Sequence, residues 1–114
     1  MELKDKVAII TGGSGGIGKA MAAAFLREGA KAAVLADLDE QAAQDAAQSI
    51  DPSGQRCVGR ACNVTNEKAV QTLTQTTIQT YGQVDVFCSN AGAGATGLLT
   101  DCLLYTSPSP RDDL

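Results

Sequence analysis

Three clusters of residues in this chain could do chemistry together. The first is Thr11-Gly12-Gly13-Ser14-Gly15-Gly16-Ile17-Gly18. Glycines let the backbone turn sharply and let a bulky anion come close. A helix that follows such a turn offers unpaired N–H groups and the positive end of its dipole to a phosphate. The second is Asp37, 19 residues after Gly18. A carboxylate there, at a strand end, can accept hydrogen bonds from both hydroxyls of an adenosine ribose. The third is a pair of short loops, Asn63-Val64-Thr65 and Ser89-Asn90-Ala91-Gly92-Ala93-Gly94. Pyrophosphate on the glycine turn and ribose on the carboxylate make a grip for a dinucleotide. Spacing alone leaves the glycine register open. Gly13, Gly15 and Gly18 fit GxGxxG, Gly12, Gly15 and Gly18 fit TGxxGxxG, and Gly12, Gly16 and Gly18 fit TGxxxGxG. A glycine turn without a ligand, and an Asp37 that merely precedes a helix, are the plain alternatives.

The same carboxylate bears on which dinucleotide is held. Asp37 repels a 2′-phosphate: unit charges near 4 Å interact by about 1 kcal/mol in water and about 4 kcal/mol at an effective dielectric of 20. Nothing nearby offsets this, because Leu38 follows Asp37, the loop residues Gly13, Ser14 and Gly15 are neutral, and Lys19 falls inside the next helix. NAD is therefore expected rather than NADP.

Hydrophobic periodicity supplies the elements that position these clusters. Residues 6–11 read as a fully buried strand, with Val7-Ala8-Ile9-Ile10 in a row. A helix from Gly16 to Glu28 carries Ile17, Met21, Phe25 and Leu26 at helical spacing, with Gly29 as its C-terminal stop. A second strand runs from Lys31 to Ala36 and ends at Asp37. Asp39 can cap a helix over Glu40–Ile50 whose inner stripe is mostly alanine, and such a face packs closely on a sheet. A weaker strand covers Arg56–Asn63. Thr65 or Asn66 can cap a helix over Glu67–Tyr81, which Gly82 ends, and Val84–Ser89 is a fourth strand. Strands alternating with helices imply an α/β fold, a parallel sheet with right-handed crossovers. The expected order is 3-2-1-4, a partial Rossmann fold with its topological switch between strands 1 and 4. Both glycine loops then lie at carboxyl ends of strands beside that switch.

Composition narrows the class. The chain has 114 residues, 44% hydrophobic and 19% charged, with a formal net charge of -4. That describes a globular chain and argues against nucleic acid as a partner. No apolar run reaches the ~18 residues of a membrane span. The start, Met1-Glu2-Leu3-Lys4-Asp5-Lys6, does not read as a signal peptide, so a cytoplasmic location is expected. Without histidine or a CxxC pair a metal site is not expected, and Cys57, Cys62, Cys88 and Cys102 are expected to be reduced thiols. Asn63-Val64-Thr65 matches a glycosylation sequon, read here as chance.

Taken together, Thr11-Gly12-Gly13-Ser14-Gly15-Gly16-Ile17-Gly18, Asp37, Asn63-Val64-Thr65 and Ser89-Asn90-Ala91-Gly92 resemble the N-terminal half of a short-chain dehydrogenase/reductase of the ordinary, non-extended branch. The resemblance covers residues 4–100 and selects TGxxxGxG as the operative register. It implies that Gly12, Ser14, Gly16, Ile17 and Gly18 form the pyrophosphate and ribose loop. It implies that Asp37 holds the adenosine ribose with Leu38 beside it, and that Asn63 and Val64 border the adenine. Asn90, Ala91 and Gly92 then line the nicotinamide-side ribose. Two positions depart from the pattern. Asn63 stands where the family has Asp, and its amide oxygen is expected to accept from the adenine amino group. Ser89 replaces the first Asn of the NNAG motif. The catalytic Tyr-x-x-x-Lys pair is missing, since Tyr81 is followed four residues on by Asp85 and Tyr105 by Ser109. No catalytic residue is assigned.

By the same resemblance, a longer parent is an oxidoreductase passing hydride between NAD(H) and a small-molecule alcohol or carbonyl, and is a homo-oligomer. The alternative is a nucleotide-binding or regulatory protein on the same scaffold without catalysis. Residues 1–100 are read as the cofactor-binding half, inactive by themselves. Residues 101–114 are read as a non-native, disordered tail: Pro108-Ser109-Pro110 breaks any periodicity, and residues 102–112 resemble a translated sequencing-library adapter. Strand 4 is thereby expected to be an open, apolar edge.

Overall fold

A computed structural model describes residues 3–12 and 15–89 in full and residues 101–104 through their backbone. The elements run β1 (Val7–Thr11), α1 (Gly16–Arg27), β2 (Ala32–Asp37), α2 (Glu40–Ile50), β3 (Cys57–Ala61), α3 (Glu67–Tyr81), β4 (Val86–Ser89) and β5 (Asp101–Leu104). They form one sheet of order β3-β2-β1-β4-β5. The first four strands are parallel, in the expected order 3-2-1-4.

Alternation along the strands divides the core into two layers. Ala8, Ile10, Ala33, Leu35, Val86 and Cys88 face α1 and α2, meeting Ala22, Ala46 and Ala47 with Met21, Phe25 and Leu26 around them. Ile9, Val34 and Ala36 face the other way, toward Leu73 with Val70, Ile78 and Tyr81 of α3. Both faces of β1 and β2 are covered, which is why these strands read as unbroken apolar runs rather than alternating ones. The small-residue stripe of α2 has a structural consequence at β3. A Cβ built on Gly59 would stand 2.3 Å from the Ala43 carbonyl carbon and 2.4 Å from the Gln44 nitrogen. The helix rests on the bare backbone of the strand.

Helix ends follow the local chemistry. Asp39 accepts from the Ala42 N–H, capping α2, and Asn66 accepts from the Ala69 N–H, capping α3. Asn66, not Thr65, is thus the cap. Gly82 ends α3 in the left-handed region at φ 88. The Arg56 guanidinium Nη2 donates to the carbonyls of Leu26 at 2.9 Å and Ala30 at 2.6 Å, tying the approach to β3 to the chain that leaves α1. At the amino end of the sheet the Asp85 carboxylate accepts from the Val7 N–H at 2.9 Å and the Gln83 side chain at 2.6 Å. That fixes the start of β1 against β4.

Two expectations are corrected. The edge of β4 is not open: β5 pairs with it antiparallel over Val86↔Leu104 to Ser89↔Asp101. Residues 101–104 are therefore a strand rather than disordered chain. An unpaired edge presents a row of N–H and C=O groups that any extended segment can satisfy, whatever its composition. Nor are all the thiols reduced. Cys57 and Cys62 are free, whereas Cys88 is disulfide-bonded, and Cys102 stands opposite it in the register. Among the described residues no helix is long and apolar enough to cross a membrane.

Candidate functional site

The carboxyl ends of the four parallel strands form one row. Thr11 is in register with Ala36 of β2 and with Ser89 of β4, and Asp37 is in register with Ala61 of β3. The Cys62 N–H donates to the Asp37 carbonyl at 2.8 Å, continuing that rung past the end of β3. Gly12, Asp37-Leu38 and Asn63-Val64, three stretches distant in sequence, therefore share one edge of the sheet. Gly16, Ile17 and Gly18 open the helix that rises from it. Ser14, Asn90, Ala91 and Gly92 lie outside the described residues.

The glycine turn begins with a backbone requirement. Gly12 has φ 66, a left-handed conformation that costs other residues roughly 1–2 kcal/mol. The Gly15 N–H donates back to the Gly12 carbonyl at 3.2 Å, closing the turn. Gly15 is the N-cap of α1 and brings no side chain to it, and the first turn holds no acidic residue. The other two helices are capped by Asp39 and Asn66. A Cβ on Gly16 would meet nothing within 4 Å. Gly15, Gly16 and Ile17, at the start of α1, are exposed beside the carboxyl end of β1.

Asp37 is half-buried at the end of β2, and its Oδ1 lies 3.4 Å from the Asp39 N–H. Leu38 next to it is 73% exposed and Ile17 is 43% exposed. These are the exposed large hydrophobic residues among those described, and both flank this edge. Apolar side chains held in water beside a carboxylate and a helix N-terminus suit a flat, partly apolar ligand that carries hydroxyls and an anion.

Asn63 holds its own loop together. Its Oδ1 accepts from the Thr65 N–H at 3.0 Å and from the Thr65 hydroxyl at 2.6 Å. The backbone N–H is a donor only, so the atom facing it is the amide oxygen. That oxygen takes both of these bonds within the loop. The signal was present in the sequence, since Asn-x-Thr is as much an Asx-turn spacing as a sequon. Thr65, which holds the amide, is the residue that the motif reading missed. So is Thr11, whose Oγ1 lies 3.4 Å from the Cys88 carbonyl and ties β1 to β4 below the glycine turn.

Among the described residues neither a tyrosine acid nor a reactive thiol stands at this edge. Tyr81 ends α3 at the opposite end of the sheet, where Lys31 donates to its carbonyl at 2.8 Å. Burial raises its phenol further from use as an acid. Burial also pushes the Cys57 thiol up to about 12 and raises that of Cys62, which keeps both protonated and unreactive. Cavities of about 360 and 480 Å³ lie beside α2, with Asp51 in the wall of both. They are shallow gaps; the first runs along β3 as far as Arg60, and neither is lined by Gly12, Asp37 or Asn63.

Comparison with known proteins agrees with this geometry. The family model of the short chain dehydrogenases matches residues 6–104. Among curated proteins, the chain is 43% identical over 91 residues to (+)-cis,cis-nepetalactol synthase of Nepeta racemosa, covering 80% of this chain and 33% of that protein. It is 42% identical over 94 residues to the mitochondrial (-)-isopiperitenol/(-)-carveol dehydrogenase of Mentha piperita, covering 82% and 35%. It is 40% identical over 90 residues to secoisolariciresinol dehydrogenase of Forsythia intermedia, covering 79% and 31%. The chain spans about a third of the length of these relatives.

Proposed function

Because the chain belongs to the short chain dehydrogenase family, we propose that it is the NAD-binding portion of an oxidoreductase that moves hydride between the nicotinamide and an alcohol or carbonyl carbon. The observation that carries this reading is the exposed start of α1, whose N-cap Gly15 brings no side chain, at the carboxyl end of β1, with Asp37 at the end of the next strand. The pyrophosphate supplies the acceptor that Gly15 does not. The Asp37 carboxylate takes the ribose hydroxyls, and Ile17 and Leu38 cover apolar surface of the cofactor. The bound cofactor supplies the hydride chemistry; the residues described here grip and orient it. Relatives whose names state dehydrogenation of an alcohol support the oxidoreductase class, and by extension a small-molecule alcohol or carbonyl as substrate.

The preference for NAD rests on charge. A 2′-phosphate beside Asp37 is disfavoured by about 1–4 kcal/mol, or roughly five- to a thousandfold. Titration calorimetry of the chain with NAD and NADP tests this. NAD is expected to bind at least fivefold more tightly, and Asp37→Ala to weaken NAD and shrink the gap. Equal affinities in the unsubstituted chain would refute the preference, and no binding of either dinucleotide would refute the reading.

A second reading keeps the cofactor grip and omits net oxidation. It is favoured by one observation, that a 43% identical relative is named as a synthase. Measuring whether a longer protein carrying these residues converts NAD to NADH with any alcohol separates the two.

A further inference from the structure

The chain has four cysteines, Cys57, Cys62, Cys88 and Cys102. Cys57 and Cys62 are free, and Cys88 is disulfide-bonded. Elimination leaves Cys102 as its partner within the chain, and the sheet register sets the two residues directly opposite each other. Opposed residues of an antiparallel pair have Cα atoms about 4.5–5.5 Å apart, inside the range that a disulfide spans. Neither free thiol competes for that bond. Cys57 lies in β3 and Cys62 just follows it, and β2 and β1 stand between β3 and β4. Three strand spacings amount to about 14 Å, too far for exchange. Burial also keeps both free thiols protonated, and the thiolate is the form that attacks a disulfide.

The bond does what the four residues of β5 cannot do by pattern. Asp101-Cys102-Leu103-Leu104 has no alternation to set a register. A slip of one residue exchanges the two faces of a strand, so a covalent link between opposed positions holds one pairing. It also closes a loop of roughly 15 residues, which favours the paired state by about a hundredfold over an open chain. Beneath β5 the edge of β4 is Val86-Phe87-Cys88-Ser89, without charge. Two such edges related by a two-fold axis pair antiparallel with no like charges brought together. The opposite edge of the sheet, β3, carries Arg60, and its self-pairing would bring two cations into one short ladder.

We propose that β5 is a redox-released cover over a surface by which this chain pairs with a second copy of itself. With the Cys88–Cys102 disulfide closed, β5 occupies the β4 edge and the chain is monomeric. A dithiol opens the bond: one thiolate attacks a sulfur of the pair, a mixed disulfide forms, and the second thiol displaces it. Two electrons and two protons pass to the protein as two cysteine thiols, and the reductant leaves as its own disulfide. Cys88 is fully buried, so reduction waits on local opening of the edge. Once reduced, β5 is held by four rungs of backbone pairing alone, and β4 of a second copy displaces it. The cover works whether or not the chain binds a dinucleotide.

Sedimentation velocity of the intact chain, without and with dithiothreitol, tests this, with thiols counted after denaturation. Without reductant a monomer with two free thiols is expected, those of Cys57 and Cys62. With dithiothreitol all four cysteines titrate and a concentration-dependent dimer is expected. Cys102→Ser removes the bond and leaves the buried Cys88 in place, and it is expected to dimerise in both conditions. Hydrogen exchange at low concentration separates release from unfolding. On reduction the β4 amides that pair with β5 are expected to exchange about a hundredfold faster, while β1 and β2 keep their protection. A reduced chain that stays monomeric, a Cys102→Ser variant that behaves as the oxidised chain, or four thiols found without reductant overturns the proposal. Protection lost in β1 and β2 together with β4 also overturns it, because reduction then unfolds the sheet rather than uncovering its edge.

Discussion

Gly59 is required by contact rather than by conformation. Its hydrogen faces the Ala43 and Gln44 backbone of α2, and those atoms cannot swing aside as a side-chain tip could. Gly59→Ala must therefore push α2 off the sheet or bend β3. We expect a loss of about 1–3 kcal/mol, near the upper end because backbone must move. Urea unfolding checks this: a midpoint within error of the parent chain's would contradict the contact. Gly16→Ala, whose Cβ meets nothing within 4 Å, serves as the fold control. At this scale the sequence was legible wherever one residue's own chemistry decided the outcome. Gly82 stopped a helix, Asp39 capped one, and Asp37 ended a strand. It was not legible where a distant backbone decided. Gly59 looks like a weak point of a strand until α2 is seen lying on it. Asn63 looks like an acceptor for a ligand until Thr65 is seen to use its oxygen.

Among the helices, α1 is set apart by what it lacks. Gly15 as N-cap has φ -76 and ψ 165, an extended conformation open to any residue. A Cβ there would lie 3.5 Å from the Gly12 carbonyl oxygen, an ordinary contact. The fold therefore tolerates a side chain that caps the helix, and strain does not require the glycine. Gly15→Asp is expected to raise stability by a few tenths of a kcal/mol, as capping residues do relative to glycine. It should also weaken NAD binding at least tenfold, because a carboxylate then occupies the place of the pyrophosphate. Thermal unfolding and calorimetry read the two effects separately; unchanged affinity would show that no anion sits on that turn. The elements themselves followed from periodicity because each has its own face to bury. The alanine stripe of α2 and the unbroken runs of β1 and β2 both told which surfaces were covered. The strand β5 gave no such signal, since its reason to exist is the unpaired backbone of β4 rather than any pattern in residues 101–104.

For the whole molecule the decisive features are the two edges of the sheet. The β3 edge is five residues long and carries Gly59 and Arg60 at its centre, a composition that discourages pairing with another chain. The β4 edge is Val86-Phe87-Cys88-Ser89, apolar and without charge, and it is covered by β5 along its whole length. Antiparallel pairing satisfies its N–H and C=O groups within the chain and removes a template for association. Cutting the chain after Thr100 takes β5 away and leaves the parallel core of four strands with its two helical layers. That core keeps Gly12, Asp37 and Asn63 at the carboxyl edge of the sheet. The exposed β4 strand is expected to recruit a second copy, and the truncated chain should show concentration-dependent association by sedimentation velocity where the intact chain does not. Adding a charge to the bare edge, as in Phe87→Lys in the truncated chain, should reduce that association, although Phe87 also packs toward α3. If the truncated chain sediments as the same species as the intact one across that concentration range, β5 is dispensable and the edge of β4 is protected in some other way.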